Sequence, residues 1–209
     1  MQCSFLKKVH DIITKSAIKV LTITIFIALI AVVIIFIYCY CSKIRKIDNL
    51  SSLGLAKAYS TFANGNQQLG IVMLDEVIAK YPKAPASYQA KLSRADIFIE
   101  LQSYDEALNI LKEIEIKAKS EAIKSLALAR IIYIYDSKKD YFGAITASKE
   151  FIGKYFDHFL IRDIYLNLAE YHLVTGSKDE AVKTFNEVLI SFPATQEAEK
   201  AQKRINEIK

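Results

Sequence analysis

The chain has 209 residues, room for one compact domain or for a smaller domain plus a membrane segment, and a formal net charge of +5. Residues 49–209 carry 21 Lys/Arg and 21 Asp/Glu, so the whole excess lies in residues 1–48. This argues against a nucleic-acid partner, which needs a basic face on the folded domain. Of the three cysteines, Cys3, Cys39 and Cys41, none lies in that domain. They build no disulfide framework, and no His or second Cys pair stands near Cys39 and Cys41 to complete a tetrahedral metal site.

Residues 1–19 form a tail with Lys7, Lys8, Lys15 and Lys19. Its apolar residues Phe5, Val9, Ile12 and Ile13 suit either a basic amphipathic helix on an anionic leaflet or an ordinary cytoplasmic tail. Residues 20–42 then carry no charge for 23 positions, enough helix to cover a hydrocarbon core of roughly 30 Å. Tyr38 and Tyr40 mark the far end, where amphipathic rings settle at the interface. A cleaved signal would have a shorter core followed by small residues; here the run ends Ile37-Tyr38-Cys39-Tyr40-Cys41, so it reads as an uncleaved transmembrane anchor. Lys43, Arg45 and Lys46 follow in a linker, residues 43–50. The heavier positive flank precedes the anchor, which places the amino terminus in the cytoplasm and the remainder across the membrane.

From residue 51 to 195 the sequence repeats with a 37-residue period. Gly70, Ala107, Ala144 and Ala181 share one register; Leu74, Leu111, Ser148 and Phe185 follow four residues on, and Val77, Ile114, Phe151 and Val188 three beyond those. Apolar spacings of three and four predict two helices per unit. They run 53–64 and 67–81, 87–101 and 104–118, 121–137 and 141–155, then 160–175 and 178–192. Gly65 and Gly176 end the first helix of their units in a left-handed turn. Gln102 and Lys139 occupy the same place in the middle units, which predicts a different turn geometry there. Pro82 and Pro193 stop second helices. The small residue opening each second helix lets a hairpin close tightly. Residues 196–209 predict a capping helix with Ala198, Ala201 and Ile205 on one face. The fold class is therefore all-α: a transmembrane helix, then an α-solenoid of four hairpins and a cap.

Residues able to carry chemistry are sparse. His10, His158 and His172 lie far apart and outside any metal-ligand spacing, and no phosphate loop or nucleophile elbow is present. Asp105-Glu106 and Asp179-Glu180 open second helices, where a negative charge meets the positive helix end. The sequence thus gives no catalytic residue and no cofactor, and the expectation is a binding protein rather than an enzyme. Most of the 12 tyrosines are expected in the core, with Tyr133 the exception.

The segments Leu55-Ala56-Lys57-Ala58-Tyr59, Ser103-Tyr104-Asp105-Glu106-Ala107-Leu108 and Gly176-Ser177-Lys178-Asp179-Glu180-Ala181 resemble the tetratricopeptide repeat, whose usual unit is 34 residues. The resemblance covers roughly residues 50–209. Two features depart from the pattern: the first-helix Trp is absent, and Phe156 stands where unit three would have its closing Pro. The three extra residues are expected in the loops between repeats, as around Tyr81–Pro85. In this family the first helices line the concave face, which makes Ser93, Asp96, Arg130, Tyr133, Asn167 and Glu170 the candidate groove residues. Lys and Asn clamps for an acidic terminus are not matched; Asp96 and Glu170 favour a basic or mixed amphipathic ligand.

The layout, one anchor followed by a small repeat domain, resembles the single-anchor ancillary subunit of the bacterial Sec translocon. That resemblance implies an inner-membrane scaffold whose periplasmic repeats bind proteins during translocation or envelope assembly. A cytoplasm-facing adaptor recruiting soluble partners, and a subunit that stacks on itself into a homo-oligomer, are the other readings.

Overall fold

The structure is a computed structural model that describes the backbone of residues 2–208 and the side chains of Phe26 and residues 29–208. Its helices are α1 (Gln2–Ala63), α2 (Gln67–Lys80), α3 (Pro85–Glu100), α4 (Tyr104–Lys117), α5 (Glu121–Ser137), α6 (Tyr141–Lys154), α7 (Ile161–Val174), α8 (Lys178–Ser191) and α9 (Gln196–Ile208). The chain divides into two compact units, Met1–Leu50 and Ser51–Lys209.

In the first unit, residues 43–50 are helical as part of α1. Among the described residues no helix is long and apolar enough to cross a membrane. The expected tail 1–19 and part of the expected span 20–42 fall on side chains outside the described residues.

The second unit is an α-solenoid. Every second helix buries the same register: Gly70, Leu74 and Val77 in α2; Ala107, Leu111 and Ile114 in α4; Ala144, Ser148 and Phe151 in α6; Ala181, Phe185 and Val188 in α8. A β-carbon at Gly70 would stand 2.9 Å from the Phe62 ring, so glycine is what lets that ring close the first hairpin. The core forms two clusters that share α3. Ala86 and Ala90 face Leu55, Ala58, Leu74 and Val77, whereas Tyr88, Leu92 and Ala95 face the larger cluster that continues to α9. There Ala201 and Ile205 cover the final hairpin. No repeat could bury these faces alone, which is why stacking and a cap are needed.

From α2 to α9 each helix packs on the next, and α3 also meets α5 as α7 meets α9. Among the described residues no such contact joins α4 to α6 or α6 to α8. The first-helix pairs α3–α5 and α7–α9 therefore draw together on the inner side, while the second helices stand apart. α5 and α7 are not in contact either. The longest connection, residues 155–160, leads into α7.

Two expectations are corrected. Gln102 and Lys139 adopt φ of 58° and 57°, the same left-handed turn as Gly65 and Gly176 at 81° and 80°. All four close the same way, with paired backbone bonds such as Ser103 N–H to Phe98 C=O at 2.8 Å and Gln102 N–H to Ile99 C=O at 3.0 Å. This pair of hydrogen bonds satisfies the open helix end and holds the turn left-handed even where the residue is not glycine. The next residue in each turn, Asn66, Ser103, Asp140 or Ser177, is the N-cap of the following helix. The second correction concerns repeat length. The second helices α2, α4, α6 and α8 are all 14 residues, so the extra residues lie partly in longer first helices, 16 in α3 and 17 in α5. Only before α7 is the connection itself long.

A left-handed turn costs a β-carbon-bearing residue about 1–2 kcal/mol, partly offset by the greater unfolded-state freedom of glycine. Gln102→Gly and Lys139→Gly are each expected to raise stability by about 0.5–1 kcal/mol, additively at this separation. Urea denaturation of the two single variants and the double variant checks this.

Candidate protein-binding groove

The inner strip of first helices is built from paired positions 34 residues apart, three of which bond one repeat to the next. Tyr59 Oη and Ser93 Oγ share a hydrogen bond of 2.8 Å. Arg130 donates twice to Asp96, Nε to Oδ1 at 2.5 Å and Nη2 to Oδ2 at 2.8 Å, and its Nη1 reaches the Leu126 carbonyl at 3.1 Å. Tyr133 and Asn167 hold the third position, both exposed. Arg204 of α9 donates twice to Glu170, at 2.6 and 2.7 Å, and also to Glu207 at 2.6 Å. These carboxylates hold the Arg204 guanidinium even more firmly protonated than usual. Since Tyr59, Asp96, Tyr133 and Glu170 are 37 apart, as are Ser93, Arg130, Asn167 and Arg204, the four pairs are one ladder with four rungs.

All six sequence-derived candidates lie on this strip, in three kinds of environment. Ser93 is tied to Tyr59. Asp96 is matched by Arg130, and Glu170 by Arg204, in two-pronged ion pairs that fix geometry as well as charge. Both carboxylates are thereby spent on the solenoid itself, so the argument that they select a basic ligand fails. Tyr133, 56% exposed, and Asn167 face solvent where α5 and α7 stand apart. Of the other tyrosines in units three and four, Tyr165 and Tyr171 are buried and Tyr135, Tyr141 and Tyr155 are half-buried.

The strip deepens toward its carboxyl end into a cleft of about 600 Å³ between α7 and α9. Asp163, Leu166, Asn167 and Glu170 line one wall, and Lys200, Lys203, Arg204 and Glu207 the other. Lys200 and Lys203 are exposed. Lys200, Lys203, Arg204 and Tyr59 lie outside the six positions expected from the sequence. The signal for Tyr59 and Arg204 was the same 37-residue step carried one unit further in each direction; Lys200 and Lys203 stand off that register.

Lys91 Nζ bonds Glu113 at 3.0 Å, and Lys117 does the same. The bonds from Lys117 and Lys91 hold the Glu113 carboxyl below its ordinary range. Burial pushes the phenols of Tyr165 and Tyr171 upward. Among the described residues no group of His, Cys, Asp and Glu is placed to hold a metal ion.

Solved structures with the same architecture are repeat proteins. A Parabacteroides merdae tetratricopeptide repeat protein superposes with a TM-score of 0.63 at 13% identity, over 76% of this chain and 59% of that one. The fold is a tetratricopeptide-repeat solenoid. A Podosopora anserina kinesin light chain protein with nearly identical TPR-like repeats gives 0.58 at 15% identity, over 78% of this chain and 85% of that one. MamA from AMB-1 gives 0.53 at 17%, over 71% and 76%. No protein-family model matches the sequence, and no curated protein matches it. Repeat solenoids of this kind present extended inner surfaces to other proteins, which accords with the ladder described above.

Proposed function

We propose that the chain is a membrane-anchored scaffold that holds a segment of another protein along the inner strip of its repeats and performs no catalysis. The observation that carries this reading is the uneven ladder. Three of the four rungs are closed on themselves, and the remaining one, third in chain order, leaves Tyr133 and Asn167 exposed, with Asn167 lining the α7–α9 cleft. An exposed aromatic ring and an exposed amide on one strip offer apolar contact area and hydrogen bonding at low entropic cost, the usual make-up of a binding anchor. Lys200 and Lys203 at the end of the cleft favour a ligand segment that is apolar in its middle and acidic or polar at one end.

Membrane anchoring rests on residues 20–42. Phe26, Leu29 and the run from Val32 to Phe36 are each more than half exposed, and a helix apolar on all sides is suited to lipid rather than water. The heavier positive charge before this run supports a bacterial inner-membrane protein with its repeats in the periplasm, assisting translocation or envelope assembly.

Two measurements test the reading. Reporter fusions after Lys209, one active only outside the cytoplasm and one fluorescent only inside, read sidedness; fluorescence inside would leave the cytoplasm-facing adaptor. A photo-crosslinking residue at position 133 is expected to capture a partner in cells, while the same residue at position 150 on outward-facing α6 does not. Equal capture at both positions would remove the groove from the account. Light scattering of residues 47–209 tests the self-stacking alternative.

A further inference from the structure

Past the uncharged run, α1 continues through residues 43–50 as one helix. Residues 1–50 contain neither Gly nor Pro, so the residues that commonly kink a helix are missing there. The segment therefore carries on along the axis of the proposed span instead of turning to lie flat on lipid. Every described side chain of the first unit is exposed except Asp48, which is half-buried.

That exposed surface is one-sided. Among residues 42–49 the only apolar side chains are Ile44 and Ile47. Three residues apart, they share a face of the helix, and the face runs back through Tyr40, Ile37 and Val33. The spacings along this line, four, three, four and three, are those of a seam between two helices. Inside the uncharged run such a line says little, because every side of the helix is apolar. In the charged segment it says more. Ser42, Lys43, Arg45, Lys46 and Asn49 all lie off the line, so the apolar side chains are kept where a second helix would cover them. Leu50 stands on the same flank as Lys43.

The flanks decide what that second helix is. Lys43 and Asp48 border the line on opposite sides, five residues apart. In a parallel pair of identical helices this sets Lys43 of each chain opposite Asp48 of the other, the arrangement by which flanking charges select partner and orientation. An antiparallel pair would instead set Lys43 against Lys43. A parallel copy also offers Ile44 and Ile47 at the same depth, since both chains enter the membrane in the same sense. Confinement to the bilayer raises the effective concentration of the two helices, so a short seam suffices.

We propose that α1 pairs in parallel with α1 of a second copy along Ile37, Tyr40, Ile44 and Ile47. The protein then stands in the membrane as a dimer and presents two binding strips. This rests on the anchored reading above. The test uses the full chain with Cys3, Cys39 and Cys41 changed to Ser, reconstituted into phosphatidylcholine vesicles. Single cysteines are introduced one at a time, from Lys43→Cys to Asn49→Cys. Oxidation with copper phenanthroline links only cysteines whose Cα atoms come within about 7 Å. Cross-linked dimer is expected to peak at positions 44 and 47, at least about fivefold above positions 45, 46 and 49. Adding Lys43→Asp to Ile44→Cys should cut the yield, and adding Asp48→Lys as well should restore it. Flotation after alkaline carbonate extraction reads the anchor independently. A chain that is stripped from the vesicles overturns the anchor and this proposal together. A chain that floats but cross-links equally around the helix, or whose yield at 44 ignores Lys43→Asp, overturns this proposal alone.

Discussion

Phe151→Ala in the fragment 47–209 is expected to cost about 3–5 kcal/mol, the range for deleting a fully buried aromatic ring. Phe151 is fully buried and belongs to the cluster that runs from α3 to α9. Its ring meets Tyr155 and His158 edge-on, each at 5.3 Å. The same place in the other repeats holds Val77, Ile114 and Val188, all buried, so this is the position through which each second helix locks onto its neighbours. α6 is held by α5 on one side and α7 on the other, which limits collapse into the cavity. A small domain has only about 5–15 kcal/mol to lose. In a solenoid a weak third unit also uncouples the second from the fourth, so the urea transition should broaden as well as move. A loss under about 1.5 kcal/mol, more typical of a lightly packed site, would contradict the packing described.

His172→Phe is expected to act in the opposite direction. His172 is 5% exposed, and neither ring nitrogen has a hydrogen-bond partner. One and two repeats earlier the same position holds Tyr135 and Phe98, so the site already accepts a six-membered ring. An unsatisfied buried polar group costs about 1–3 kcal/mol, and the phenylalanine variant should recover about 1–2 kcal/mol at neutral pH. Burial, aided by Lys149 and opposed by Glu180, pushes the His172 imidazole below its ordinary range. The unfolded chain therefore takes up the proton first, and stability is expected to fall as pH drops below about 6.5 until the folded-state pKa is passed. His158 adds to this with the same sign, since burial lowers its pKa too, and its Nδ1 accepts the Leu160 N–H at 3.2 Å. The variant should thus lose part of the acid sensitivity and keep part. Unfolding free energies at pH 7.5 and 5.5, measured for both proteins, decide it; parallel pH dependence would mean that His172 does not titrate as a buried group.

Where helices begin and end was legible in the sequence because the signals are local. The apolar spacing and the turn residues around Gly176 and Pro193 placed α8 within a residue of its observed end, and residues 196–208 were read as the capping helix they form. The turns at Gln102 and Lys139 were misread because side-chain preference was weighed where backbone hydrogen bonding decides. For the groove, the 37-residue step gave matching positions in successive repeats, and the resemblance to the repeat family supplied the expectation that first helices line the inner face. It did not show that Asp96 and Glu170 are each half of an ion pair. That depends on how closely successive first helices approach, which brings residues 34 apart into contact. Nor did it show that Tyr133 stands at an opening. Neighbouring first helices touch at α3–α5 and α7–α9 and part at α5–α7. Such spacing follows from how whole repeats stack, so it belongs to the tertiary structure, whereas the identity of the residues presented at each step belongs to the sequence.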